Sequence, residues 1–247
     1  MTELTGKTAW ITGAGTGIGA ESAVALAQSG ARVILSGRRS APLETVAERI
    51  ADAGGTAHVA PLDTGDRAAV DAAVQKFAPI DILVASAGLN VPDRALDSIT
   101  PESWDKVVNV NLTGVFNPVH ALLPGMRARG DGCLILVSSW AGRYATRMTG
   151  AAYNATKRAV LALSETINEE EGGRGIRSTV IMPGEVATDI LKSRPVPPSQ
   201  ADMDRMLQSG DLARTVRFVA ESPAHVCLNE ILISPTWNRF YQGMKEV

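Results

Sequence analysis

Seven short runs of strand-forming residues alternate with longer segments of helical period along these 247 residues, and few architectures accommodate that rhythm. The runs cover residues 8–12, 32–36, 56–61, 81–86, 133–138, 178–182 and 230–234. Stretches such as Leu134-Ile135-Leu136-Val137 are apolar at consecutive positions, so both faces of the sheet must be covered. The pattern predicts an α/β fold: a doubly wound, seven-stranded parallel sheet with helices on both faces. Its ligand crevice is expected at the carboxyl ends of the strands.

Between the strands, Leu43, Val46, Ala47 and Ile50 repeat at helical spacing, as do Val70, Ala73, Val74 and Phe77. Thr100 followed by Pro101 reads as an N-cap and first-turn proline, opening one long helix through Val115, Val119 and Met126, with Gly125 and Gly130 near its end. The length suits one core, so residues 1–247 are expected to form a single domain. Residues 192–200, with Pro195, Pro197 and Pro198, lack periodicity and predict a substrate lid around residues 189–210.

Lys and Arg number 24 against 26 Asp and Glu, a balance that gives no reason to expect nucleic acid or an anionic membrane as partner. A small-molecule partner is expected. The start shows no basic-then-apolar leader and no apolar run reaches membrane-spanning length, which predicts a cytoplasmic protein. Cys133 and Cys227 are too few for a disulfide framework or a zinc site, and no metal is expected. His58, His120 and His225 stand in no motif, and Trp140 is placed to wall a pocket beside Ser139.

Directly after the first strand comes Thr12-Gly13-Ala14-Gly15-Thr16-Gly17-Ile18-Gly19, leading into a helix. Glycines let the backbone approach a pyrophosphate, and a helix N-terminus offers it unpaired N–H groups. Gly13, Gly15, Thr16, Gly17, Ile18 and Gly19 are therefore candidate cofactor contacts. The second strand ends Ser36-Gly37-Arg38-Arg39, with no carboxylate for a ribose 2′-hydroxyl; Arg38 and Arg39 suit a 2′-phosphate, favouring NADP(H) over NAD(H). Asp63, Thr64, Ala87 and Gly88 close the third and fourth strands on the same rim, where Asp63 can accept from an adenine amino group.

Ser138-Ser139 ends the fifth strand, and Tyr153 stands four residues before Lys157 in a helical segment, so phenol and ammonium share a face. A free phenol has a pKa of about 10, and a cation close by draws it toward neutrality, where it can exchange a proton with a substrate oxygen.

Glycine run, serine and Y-x-x-x-K pair, in this order, resemble the short-chain dehydrogenase/reductase family, with its single Rossmann-like domain, from residue 7 to about 188. The resemblance implies a hydride transfer between NADP(H) and a small neutral carbonyl or alcohol, with Asn111, Ser139, Tyr153 and Lys157 as catalytic tetrad. Ser139 would hold the substrate oxygen, Tyr153 act as acid or base, and Lys157, besides Tyr153, contact the cofactor at the nicotinamide ribose. Asn111 would hold a water in a proton relay; Pro183, Gly184, Val186 and Thr188 would lie along the nicotinamide. It also implies a homodimer or homotetramer pairing through the helices of Asn111 and Tyr153. The alternative is a non-catalytic NADP(H)-binding regulator, which would not need Tyr153 with Lys157.

Three features depart from the family pattern. Its N-N-A-G reads Ala85-Ser86-Ala87-Gly88 here, which predicts a weaker rim network. The gap from Ser139 to Tyr153 is one residue longer, leaving Ser138 open as the serine in question. Glu185 follows Pro183-Gly184, where it would disfavour anionic substrates, pair with a basic group or face solvent.

Overall fold

The computed structural model of the chain describes residues 3–194 and 196–241, so Pro195 of the expected lid lies outside the described residues. Seven strands form one parallel sheet: β1 (Thr8–Thr12), β2 (Arg32–Ser36), β3 (Thr56–Val59), β4 (Ile82–Ala85), β5 (Gly132–Val137), β6 (Ile176–Pro183) and β7 (Glu230–Ile233). Their order is β3-β2-β1-β4-β5-β6-β7. The chain winds outward from β1 to β3, returns to β4 beside β1, then winds the other way, which opens a crevice at the carboxyl ends of β1 and β4.

Side chains alternate across the sheet and build two cores. Ile11, Leu35, Val84, Ile135 and Ile181 face α1 (Gly17–Gln28), α2 (Ser40–Asp52) and, near the C-terminus, the last helix. Trp10, Ile34, Leu83, Leu134 and Met182 face the opposite layer. That layer holds α3 (Arg67–Phe77), α4 (Pro101–Val108), α5 (Gly114–Arg129), α6 (Trp140–Arg143) and α7 (Ala151–Glu171). All residues of β1, β5 and β6 are buried, whereas the edge strands β3 and β7 alternate between exposed and half-buried, as only the central strands are covered on both sides. Trp10 is fully buried and donates its indole N–H to Ser36 Oγ at 2.9 Å, which ties the ends of β1 and β2 together beside the glycine loop.

The long helix expected from Thr100 is interrupted. Thr100 caps α4 by accepting from Ser103 N at 3.2 Å, but residues Asn109–Thr113 form a π-turn before α5 begins. The backbone stays right-handed on both sides, so the helix continues with a shifted face, and Asn111 turns fully inward. Gly114 follows the π-turn directly, where a Cβ would lie 2.5 Å from Thr64 Oγ1 and 3.3 Å from Asn109 O. The expected lid is also more regular than its prolines suggest. A 3-10 turn spans Asp189–Ser193, followed by α8 (Gln200–Asp204) and α9 (Ser209–Ala220), each of these two helices with a capping box.

Candidate active site

The crevice is lined by Gly13, Gly15, Thr16, Arg38, Arg39, Asp63, Thr64, Ala87 and Gly88, all expected from the sequence. Leu62, Leu89 and Val110, the last from within the π-turn, line it as well, beyond the residues the sequence pointed to. The glycines are required sterically. A Cβ on Gly13, whose φ is +66°, would lie 2.8 Å from the Ala87 backbone, and one on Gly19 would lie 2.3 Å from the Gly13 carbonyl oxygen. Thr16 caps α1 without a side-chain hydrogen bond and no acid occupies the first turn, so Gly17, Ile18 and Gly19 present N–H groups that lack intrahelical acceptors. Gly19→Ala is expected to lower the unfolding free energy by about 1–3 kcal/mol. Gly173→Ala, at a site with open space, serves as control, and denaturant titration compares them.

Arg38 and Arg39 are exposed and form no ion pair among the described residues. Asp63 uses Oδ1 to accept from Gly65 N at 2.9 Å. The rim that lacks the family's amides is held otherwise: Ala87 N donates to Thr12 Oγ1 at 3.3 Å. Asn111 clamps Leu89 from both ends of its amide, accepting from Leu89 N at 2.8 Å and donating to Leu89 O at 2.9 Å. Its side chain therefore braces this wall.

At the inner end of the crevice Lys157 is buried and donates to Val137 O at 2.9 Å. Burial lowers its pKa from 10.5 to about 8. A Cβ on Gly88 would lie 3.3 Å from this ammonium, so crevice floor and lysine are in contact. Ser138 donates to Lys157 O at 2.7 Å and is buried, a structural role. Ser139 caps α6 by accepting from Ala141 N at 3.1 Å and meets the Tyr153 hydroxyl. Of the two serines, the structure brings Ser139 to the phenol.

Tyr153 has its pKa raised, because burial outweighs the hydrogen bond from Ser139 and the fields of Arg194 and Arg94, which favour the phenolate. This differs from the electrostatics expected of the Tyr153–Lys157 pair. The ammonium points to the end of β5, 5.6 Å from the phenol ring centre, and the cations acting on the hydroxyl come from elsewhere in the chain. No local spacing signals Arg94 or Arg194.

Pro183 ends β6, and Val186 is buried and bridges Leu207 in parallel. Thr188 packs against Gly17, where a Cβ would approach its Cγ2 to 3.1 Å, so the segment after β6 reaches the glycine loop. Gly184 instead donates to Ile233 O at 2.7 Å and packs on Ser234 and Pro235. Glu185 is buried and paired. Burial opposes its ionisation, but hydrogen bonds from Arg239 and Arg194 hold its carboxyl below the usual range. The longer gap before Tyr153 is absorbed in a turn closed on itself, where Thr149 donates to Asn154 Oδ1 at 2.5 Å and Asn154 donates to Thr146 O at 2.8 Å.

Residues 7–197, which contain the glycine loop, Asn111, Ser139, Tyr153, Lys157 and the segment after β6, match the family model described as short chain dehydrogenase. The chain belongs to the short-chain dehydrogenases. It is 36% identical over 244 residues to the glycine betaine reductase of Emericella nidulans; the match covers 94% of this chain but 19% of that protein's length. An uncharacterized oxidoreductase of Staphylococcus haemolyticus is 34% identical over 239 residues, covering 95% of this chain and 100% of the relative. Among solved structures, a metagenomic short-chain oxidoreductase in complex with NADP superimposes with a TM-score of 0.82 at 29% identity, covering 96% of this chain and 100% of the other. The Rossmann-like sheet is thus common to this short-chain dehydrogenase and its relatives.

Proposed function

We propose that this short-chain dehydrogenase is an NADP(H)-dependent oxidoreductase acting on a small carbonyl compound or the matching alcohol, with Tyr153 as general acid or base. The observation that carries the reading is the meeting of Ser139, Tyr153 and Lys157 at the inner end of the glycine-walled crevice. A Cβ at Gly13 or Gly19 would collide with the backbone of Ala87 or of Gly13 itself, so the tight loop, which suits the close approach of a dinucleotide, depends on both glycines.

Bound there, the cofactor would supply or accept a hydride. The N–H groups of Gly15, Thr16, Gly17, Ile18 and Gly19 would hold its pyrophosphate, and Arg38 with Arg39 a 2′-phosphate. Leu62 and Val110 would flank an adenine whose amino group meets Asp63, while Thr64, Ala87 and Gly88 form the floor. Pro183, Val186 and Thr188 would lie along the nicotinamide, and Lys157 would hold its ribose. Ser139 would hold the substrate oxygen while Tyr153 moves a proton to or from it. Residues 189–210, joined to the segment after β6 by the pairing of Val186 with Leu207, would close over the substrate. Pairing of copies through the helices on either side of Asn111 and through α7 is supported by the exposed rings of Trp104 on α4 and Phe116 on α5. Among the described residues no helix is long and apolar enough to cross a membrane.

Following NADPH absorbance against a panel of carbonyl compounds, and repeating it with NADH, tests the reading. Turnover that needs Tyr153 separates an enzyme from a cofactor-binding regulator. Replacing Arg38 by Ser is expected to shift the NADPH-to-NADH preference in kcat/KM by roughly 10- to 100-fold toward NADH, the loss of one charge-assisted pair. An unchanged ratio would remove Arg38 from the cofactor site.

A further inference from the structure

Residues 234–241, which follow β7, are bound at one end to the segment after β6 and at the other to the helix that begins beside Ser139. They leave the sheet next to Gly184, which donates to Ile233 O at 2.7 Å and packs on Ser234 and Pro235. Arg239 then meets Glu185 with a planar fork, Nε 2.7 Å from Oε2 and Nη2 2.6 Å from Oε1. The Glu185 side chain is 2% exposed and that of Arg239 27%, so the arginine is the outer member of the pair. The same carboxylate accepts from Arg194 Nη1 at 2.6 Å, and Arg239 Nη1 lies 3.7 Å from Asp202 Oδ2 on α8. Trp237 adds a stacked contact, with its ring centre 3.8 Å from the Arg205 guanidinium carbon and 6.0 Å from that of Arg239. Arg205 stands two residues before Leu207, whose N–H donates to Glu185 O at 3.1 Å and whose carbonyl accepts from Ala187 N at 2.8 Å. Glu185 thus holds Leu207 by its backbone, and Arg194 and Arg239 by its side chain.

The other end is aromatic. Asn238 is buried; its side-chain oxygen accepts from Phe240 N at 3.0 Å and its carbonyl from Tyr241 N at 3.1 Å. Phe240 stacks on Trp140 at 5.7 Å with 7° between the planes, and Tyr241 meets the same ring edge-on at 5.2 Å. Trp140 is itself buried and is the first residue of α6, directly after Ser139. One short stretch of chain therefore joins the turn of Ser139 to the Val186–Leu207 pairing, by an ionic fork, a stacked cation and two ring contacts.

We propose that residues 234–241 are a strap, with Arg239 and Trp237 as positioning residues, which sets the spacing between Ser139 and the paired backbones of Val186 and Leu207 and thereby raises substrate affinity. The inference rests on the reductase reading, in which Ser139 holds the substrate oxygen and Val186 and Thr188 lie along the nicotinamide. Without the strap the pairing would keep its competent arrangement for only a fraction of the time, and the apparent substrate affinity would fall by that fraction. Bound substrate restores the arrangement, so kcat would change little.

The test measures amide hydrogen exchange at Ala187 and Leu207 in the ligand-free protein. It also measures KM and kcat with NADPH and the best-used member of the carbonyl panel, in wild type, Arg239→Gln, Arg239→Lys and Trp237→Ala. Arg239→Gln and Trp237→Ala are each expected to speed exchange at both amides about tenfold more than in β5, and to raise KM about tenfold with kcat within about threefold of wild type. Arg239→Lys keeps a charge beside Glu185 and loses the fork, so it should fall between. Arg239→Gln leaves the buried Glu185 short of one cation, whereas Trp237→Ala removes no charge from it and so separates positioning from a general loss of stability. Wild-type exchange in both variants, faster exchange with KM unchanged, a loss confined to kcat, or exchange that rises equally in β5 would each overturn the strap. If no carbonyl compound is reduced by any form, the reductase reading falls, while the exchange rates still uphold or overturn the strap.

Discussion

Tyr153→Phe is expected to lower kcat by about 1,000-fold while leaving pyridine nucleotide affinity nearly unchanged, because the substitution removes one oxygen and no part of the crevice wall. The phenol stands against the Ser139 hydroxyl, and its pKa is raised by burial despite Ser139, Arg194 and Arg94. Near neutral pH it therefore carries its proton and is ready to donate it to a carbonyl oxygen. Carbonyl reduction should be flat through neutrality, whereas alcohol oxidation, which needs the phenolate, should climb into the alkaline range. Steady-state rates in both directions across pH, together with a fluorescence titration of NADPH into the Phe variant, check both parts. Wild-type turnover by the variant would remove Tyr153 from the chemistry.

Lys157→Met is expected to abolish most activity and yet make the ligand-free protein more stable at pH 7. The buried ammonium has its pKa lowered from 10.5 to about 8 by desolvation, a penalty on the order of 3 kcal/mol while the group is charged. Losing the donor to Val137 O returns about 1 kcal/mol of that, so a net gain of about 2 kcal/mol is expected. The pH dependence has a definite sign. Below pH 8 folded and unfolded chains both hold the proton and the full penalty applies. Between pH 8 and 10.5 the unfolded chain binds more protons than the folded one, so wild-type stability rises and the advantage of the Met variant shrinks. Urea unfolding at several pH values measures this convergence; a Met variant less stable than wild type at pH 7 would contradict it.

Local sequence determined much of this protein because much of it depends on neighbours in the chain. Consecutive apolar residues in 134–137 specify a strand covered on both faces, and the structure buries every one of them. The glycines between Gly13 and Gly19 are dictated by a turn too tight for a Cβ, and the four-residue spacing of Tyr153 and Lys157 follows from the pitch of a helix. Strand ends moved by only a few residues: β6 begins at Ile176 because Ile176 and Arg177 still find partners in Gly132 and Cys133.

What only the tertiary structure decided are relations between residues far apart in sequence. The inward turn of Asn111 needs Leu89 to pair with both ends of its amide, and no residue spacing within Asn109–Thr113 announces the π-turn that delivers it. The electrostatic setting of Tyr153 is likewise non-local. Lys157 sits on the same helix but donates to the end of β5, while the charges that favour the phenolate belong to Arg94 and Arg194, far away in sequence. Helical pitch can place two side chains on one face; the charges that face meets depend on which segments the fold packs against it.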